Sequence, residues 1–350
     1  MKTLFGRMIR NKGGHGGDCD QAGTYQYQPK RKERAAAAIW HHVWNVWSAC
    51  PRQRQQRLLL VLVTLFFFLF WVRNHFLVEV AWQIMKEDVP FLMMKDSLHD
   101  DDDDDAKQRW VVMATVNGAF LDFFLNWLTH FERLQHLDDV PVYIVAEDDE
   151  VVPKLQSIPR IHVVTTSLNL IEADKVGTKG HTKLVSQRPG QILKVWNLTK
   201  TQADALLFID LDSVWLGNPF PDIEESLVGG GGYDMATQID RRREKNTGFV
   251  AIPKTDRNYQ FMELWRDEIE TSVQRSQPAY NTLIQEHHRK VAVLPILKFP
   301  WGSLFFGFNL KKWAKVVHAN GVGKGHKLKM EKLQSVGLWD IDPKYQSLLN

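Results

Sequence analysis

The pair Asp210-Leu-Asp212 carries the clearest chemistry in the chain. It directly follows Ala205-Leu-Leu-Phe-Ile209, an apolar run that reads as a buried strand of a parallel sheet. In α/β sheets, ligands bind outside the carboxyl ends of strands. Two carboxylates spaced i, i+2 at such an end repel each other unless a cation lies between them. Carboxylate oxygens suit Mn²⁺ or Mg²⁺, ions that commonly clamp phosphates. The spacing alone is frequent in proteins; its place after a dry strand is what points to a metal on phosphate.

Other residues could complete such a site. Ala114-Thr-Val-Asn117-Gly118 ends the first predicted strand, where either a base or ribose would lie or the chain simply turns. The chain lacks G-x-G-x-x-G and the Walker P-loop, so neither dinucleotide nor P-loop binding is indicated. Asn246-Thr-Gly-Phe249 opens a later strand after the polar loop Asp240-Arg-Arg-Arg-Glu-Lys245. Gly248 would let a ligand approach the backbone, and Asn246 offers both a donor and an acceptor for sugar hydroxyls; a bulge is the plainer reading. Near the end stands Val317-His318-Ala-Asn320-Gly-Val-Gly-Lys324-Gly-His326-Lys327. Imidazole could add a third ligand to a carboxylate-bound metal, and glycines with Lys324 could hold a diphosphate.

These residues need a scaffold. Strands are expected at Trp110–Val116, Val140–Ala146, Ile161–Thr165, 205–209, Asp234–Gln238, Gly248–Ile252, Val291–Leu294 and Val316–His318. Helices are expected at Ala119–Leu134, Pro189–Thr201, Asp256–Glu270 and Ala279–His288. The βαβα rhythm implies an α/β fold with a mostly parallel sheet and right-handed crossovers. No internal repeat interrupts it, so residues 108–350 are expected to form one domain.

The N-terminal part differs in kind. Residues 1–57 are basic, with Gly, Gln and an alanine run, and read as a mostly disordered tail. Residues 58–72 are apolar and uncharged, roughly 22 Å long as a helix against a hydrocarbon core of ~30 Å. Arg57 and Arg73 can snorkel, and Trp71 sits at the interface end, so the run reads as a single transmembrane helix. The basic flank puts the tail in the cytosol and the rest in the lumen, a type II arrangement. A buried core helix is the alternative. Residues 73–107 form a stem that includes the self-repelling block Asp100–Asp105. Cys19 and Cys50, the only cysteines, lie in the tail, so the lumenal part stands without disulfides. Asn197-Leu-Thr199 is an N-glycosylation sequon in a predicted helix. A net charge of +3, with no basic face, gives no nucleic-acid signal.

The segment Phe208-Ile-Asp-Leu-Asp-Ser-Val-Trp-Leu-Gly-Asn-Pro-Phe220 resembles the D-x-D segment of the nucleotide-diphospho-sugar transferase family, which includes glycosyltransferase family 77. Five more blocks follow the family's order: residues 115–127, Arg188-Pro189, Asn246-Thr-Gly-Phe249, Gln277-Pro-Ala-Tyr-Asn281 and Val317-His-Ala-Asn320. The resemblance covers roughly residues 110–340 and implies a GT-A fold, a divalent metal and a nucleotide-sugar donor, UDP-linked. It implies transfer to a glycan or protein acceptor with retention at the anomeric carbon, in the Golgi or endoplasmic reticulum. Xylose, arabinose and galactose all remain open as the sugar. By position, Asp210 would face ribose and metal, Asp212 would be the main metal ligand and His318 would complete the metal shell. Lys324 would hold the diphosphate, Thr115 and Asn117 would line the nucleoside, and Arg188 would belong to the nucleotide-binding set. Asp240 and Asn246 would face the donor sugar or acceptor, with Gln277 beside them. One position departs: the family usually has Asp directly before the Gln of D-Q-P-A-x-N, and here it is Ser276.

Two rivals stand against this reading. Four apolar residues followed by Asp-Leu-Asp-Ser-Val also fit a haloacid-dehalogenase-type phosphatase with Asp210 as nucleophile. That fold needs its motif near the start of the domain and an acidic pair downstream, whereas Asp148-Asp149 lies upstream. The other rival, supported by Ser276 alone, is a non-catalytic membrane-anchored protein that binds glycans or nucleotide-sugars.

Overall fold

The structure is a computed structural model that describes residues 108–166, 185–229, 232–271, 276–323 and 325–349. The expected tail, membrane span and stem lie outside the described residues. Among the described residues, no helix is long and apolar enough to cross a membrane.

The described part is an α/β fold built on a sheet of mostly parallel strands flanked by helices. In chain order the elements begin with β1 (Trp110–Val116), α1 (Leu121–Glu132), β2 (Val142–Ala146), α2 (Val151–Gln156) and β3 (Ile161–Thr165). They continue with α3 (Arg188–Leu198), β4 (Ala205–Ile209), β5 (Ser213–Trp215), α4 (Phe220–Val228), β6 (Met235–Ile239) and β7 (Lys245–Pro253). The last are α5 (Asp256–Thr271), α6 (Ser276–Glu286), β8 (Val291–Val293), α7 (Gly302–Phe308), β9 (Val316–His318) and α8 (His326–Ser335). The large sheet has the order β3-β2-β1-β4-β7-β6-β8. The chain builds outward from β1 to β3 and then returns to place β4 on the other side of β1. This makes the β1/β4 boundary a topological switch point, where open α/β sheets bind ligands.

One strand departs from the parallel expectation. β7 runs antiparallel to both β4 and β6. Only a five-residue turn, Asp240–Glu244, joins it to β6, too short for a parallel crossover. Arg243 takes a positive φ of 62° to close that turn. Five elements were not expected from sequence: α2, β5, α4, α7 and α8. The most consequential is β5, which pairs antiparallel with β9 in a separate two-stranded sheet, Ser213 against His318.

Strands buried on both faces explain the apolar runs. Alternate β1 residues Val112, Ala114 and Val116 join one core with Phe124, Trp127 and Phe131 of α1, while Val111 and Met113 face another with Ile192 and Trp196 of α3. The sequon Asn197 is exposed on α3, whereas Thr199 is buried with its hydroxyl bonded to Val195 O at 2.7 Å.

Trp215 on β5 ties the small sheet to the large core. It is 1% exposed and sits edge-on to Trp127, Phe131 and Phe220, with centroids at 5.9, 5.3 and 6.0 Å. Trp215→Ala is expected to destabilise the protein by about 3–5 kcal/mol in a denaturant titration. A loss under about 1 kcal/mol would mean that β5 is not anchored this way.

Candidate active site

Three segments converge at the carboxyl end of β4. Asp210 follows β4 directly, and its N–H donates to Gly248 O at 2.7 Å, extending the β4–β7 pairing. Asp212 leads into β5, and its carbonyl accepts from Ala319 N at 2.8 Å, extending the β5–β9 pairing. His318 ends β9. The ligand-capable atoms of Asp210, Asp212 and His318 all lie within 4.8 Å of one another. His318 Nε2 is 3.1 Å from Asp212 Oδ1 and 3.8 Å from Asp210 Oδ2.

Gly248 makes room for this group. A Cβ there would lie 2.2 Å from Asp210 Oδ2 and 2.6 Å from His318 Cε1. The close approach that a glycine was expected to permit is therefore made by the site's own side chains.

One nitrogen of the imidazole is fixed as a donor. Gln238, at the end of β6, donates from Nε2 to the carbonyls of Phe299 and Pro300 at 2.9 Å each, which turns its Oε1 toward His318 Nδ1 at 3.1 Å. Nδ1 must then carry a proton, which leaves Nε2 as the ring atom that faces the carboxylates and could ligate a cation between them. Two oxygen donors and one imidazole nitrogen fit Mn²⁺ or Mg²⁺ by type and by convergence. Asn246 packs beside the same ring: its Oδ1 accepts from Gly248 N at 2.7 Å, and its Nδ2 lies 3.3 Å from His318 Nδ1, a donor next to a protonated nitrogen and so no hydrogen bond.

Cationic side chains already surround the carboxylates. Arg188 Nη2 lies 2.5 Å from Asp210 Oδ1, and Nη1 donates to Thr247 Oγ1 at 2.7 Å while the guanidinium covers the Phe208 ring. Lys329 Nζ, from α8, lies 2.5 Å from Asp212 Oδ2. Burial opposes ionisation of Asp212, but Lys329 and His318 outweigh it and hold its pKa far below the usual carboxylate range. Burial likewise opposes the Lys329 charge, and Asp212 outweighs it, so its pKa is raised.

An open cleft of about 640 Å³, mouth included, spans the switch point beside this group. Thr115, Asn117, Arg188, Asp210, Asp212 and Lys329 line it together with Glu147 and Gln191. Glu147, at the carboxyl end of β2, accepts from Gln191 Nε2 at 2.8 Å. Burial pushes its pKa up from 4.5 to about 7, opposed by the Gln191 hydrogen bond and the Arg188 charge.

Asp240 and Gln277 gather in a separate cluster. Asp240 Oδ1 accepts from the N–H groups of Arg242 and Glu244 at 2.7 and 3.1 Å, and Oδ2 accepts from Gln277 Nε2 at 2.8 Å. Gln277 Oε1 reaches Thr247 N at 3.5 Å, one residue from the Asn246–Gly248 hydrogen bond. Asp240, Asn246 and Gln277 are thus not in the cleft lining. Ser276 is 3% exposed at the start of α6, and among the described residues its hydroxyl has no partner. Lys324 lies outside the described residues. Its role of holding the diphosphate stays an expectation; the lysine that lies beside Asp212 among the described residues is Lys329, which no motif had marked. Gln238, Glu147 and Gln191 were also missed. Glu147 carried the same signal as Asp210, an acid at a strand's carboxyl end; nothing distinguished Lys329 from its lysine neighbours.

Residues 139–333, more than half of the chain, match the model of the nucleotide-diphospho-sugar transferase family. The chain belongs to that family, and its described residues form a glycosyltransferase domain. The phosphatase alternative falls with this match. No curated protein matches the chain by sequence. Solved structures that it resembles include the bifunctional glycosyltransferase WbbM, at 9% identity and TM-score 0.44, covering 70% of this chain and 52% of that one. GlyE of Streptococcus pneumoniae matches at 14% identity and TM-score 0.43, over 69% of this chain and 62% of that one. The galactosyltransferase LgtC, solved with donor and acceptor sugar analogs, matches at 10% identity and TM-score 0.42, over 68% and 99%. The chain spans about half the length of WbbM and under two thirds of GlyE.

A carboxyl whose pKa is higher folded than unfolded binds the extra proton in the native state. Its stability contribution is therefore lost as pH rises from 4.5 through about 7. Glu147→Gln removes that cost, and is expected to raise stability by about 1–3 kcal/mol at pH 8 and by little at pH 4.5. Equal effects at both pH values, read from denaturation midpoints, would contradict the buried-acid account.

Proposed function

We propose that this protein is a metal-dependent glycosyltransferase that takes its sugar from a UDP-sugar and retains configuration at the anomeric carbon. The observation that carries the reading is the convergence of Asp210, Asp212 and His318 within 4.8 Å, with the two carboxylates lining a cleft. A divalent ion held by these three would supply positive charge to the leaving diphosphate. Thr115, Asn117 and Arg188 line the cleft where the nucleotide would lie, and Lys324 is assigned to the diphosphate. Asn246, packed beside the His318 ring, is assigned to the donor sugar or acceptor. Asp240 and Gln277 are assigned to the sugar or acceptor side of β7.

In the transfer, the bond from the anomeric carbon to the phosphate oxygen breaks. A bond from the acceptor hydroxyl oxygen forms on the same face, and the departing phosphate oxygen takes the hydroxyl proton. No strong protein base is needed. The acceptor is a glycan or a glycoprotein. The basic tail, the apolar run 58–72 and the stem support a type II anchor in the Golgi or endoplasmic reticulum membrane, with residues 108–350 lumenal.

Full-length protein with Mn²⁺ should hydrolyse or transfer from one member of a panel of UDP-xylose, UDP-arabinose and UDP-galactose. Asp212→Asn should lower that rate by about 10²–10³-fold while circular dichroism stays native. An unchanged rate in a folded variant would sink the site assignment, and an inverted product by anomeric NMR would sink retention.

A further inference from the structure

Asp212 is fully occupied by protein groups. One carboxylate oxygen faces His318, and the other lies 2.5 Å from Lys329 Nζ. Asp210 is held in the same way by Arg188 at 2.5 Å. Two carboxylate charges are thus matched by two cationic side chains, while the far nitrogen of His318 is taken up by Gln238 Oε1 at 3.1 Å. A divalent ion entering this balanced set would bring two more positive charges beside Lys329 and Arg188. A nucleoside diphosphate arriving with it would restore the balance and give Lys329 a new anionic partner.

The lysine is placed for such an exchange. Its side chain is 17% exposed and lines the same cleft as Thr115, Asn117 and Asp210. A four-carbon stem lets Nζ swing several ångströms without moving the backbone. Its helix, α8, is lightly held: Leu333 is its one buried residue, and His326 pins its first turn through Asp122 Oδ1 at 2.8 Å. Gly321, Gly323 and Gly325, all at positive φ, precede it.

We propose that Lys329 is a resident counter-ion of Asp212 that yields to the divalent ion and moves to the diphosphate, so that metal and nucleotide bind cooperatively. This rests on the metal–diphosphate reading above. It assigns Lys329 a role separate from Lys324: it competes with the metal in the free protein and joins it only when the nucleotide is present.

The test is Mn²⁺ binding to the full chain, followed by the electron paramagnetic resonance signal of free Mn²⁺, with and without UDP. Wild type should bind Mn²⁺ at least about tenfold more tightly with UDP than without. Lys329→Met should raise the affinity for Mn²⁺ alone by about tenfold and erase most of the UDP effect. Lys329→Arg, which keeps the charge, should behave like wild type. Unchanged or weaker binding of Mn²⁺ alone by Lys329→Met overturns the proposal and leaves the metal site standing. Should that variant not fold, wild type decides: equal affinity with and without UDP also overturns it. No Mn²⁺ binding under either condition removes the metal reading and this proposal with it.

Discussion

The antiparallel pairing of Ser213–Trp215 with Val316–His318 is the constraint on which the site depends. Asp210 and Asp212 are neighbours in sequence, but His318 reaches them only because β9 lies against β5. The Ala319 N–H bond to the Asp212 carbonyl fixes the register of that meeting. Trp215 anchors β5 in the aromatic cluster of α1, so the metal-capable group rests on the packing of the main core. Gly248 allows the third wall, β7, to come close enough that a single methyl group would collide with both Asp210 and His318.

Around this frame the electrostatics are arranged in layers. Gln238 fixes the His318 Nδ1 proton and is itself set by two backbone carbonyls. Arg188 and Lys329 each occupy one oxygen of one carboxylate. A site so nearly neutral without ligands is suited to an incoming pair whose own charges largely cancel, a divalent cation with a nucleoside diphosphate. Glu147 gives the far side of the cleft a different character, a buried acid that ionises near neutrality beside the amide of Gln191.

Much of this was legible in the residues. The run Ala205–Ile209 could only be a doubly buried strand, and the acids after it could only sit at its carboxyl end. The pattern around His318 marked a third ligand because a strand-end histidine beside glycines is rare in a plain turn. What stayed hidden arose from long-range packing. β5 is three residues long, too short for periodicity to reveal, and its partner is a hundred positions away in the chain. The antiparallel course of β7 follows from a turn whose length alone was visible. Lys329 looked like any solvated lysine on a polar helix, since its value comes from where α8 docks. Gln238 was indistinguishable from an ordinary strand residue, because its role lies in three hydrogen bonds to distant groups.

The proposed function requires that Asp210, Asp212 and the His318 Nε2 atom can together hold a divalent ion. Electron spin echo modulation of Mn²⁺ bound to the protein with UDP tests it at the level of the ligand atom. The account predicts nitrogen modulation from one directly bound imidazole, lost in His318→Gln while Mn²⁺ remains bound to the carboxylates and UDP. Bound Mn²⁺ with an all-oxygen spectrum in the wild-type protein would contradict it.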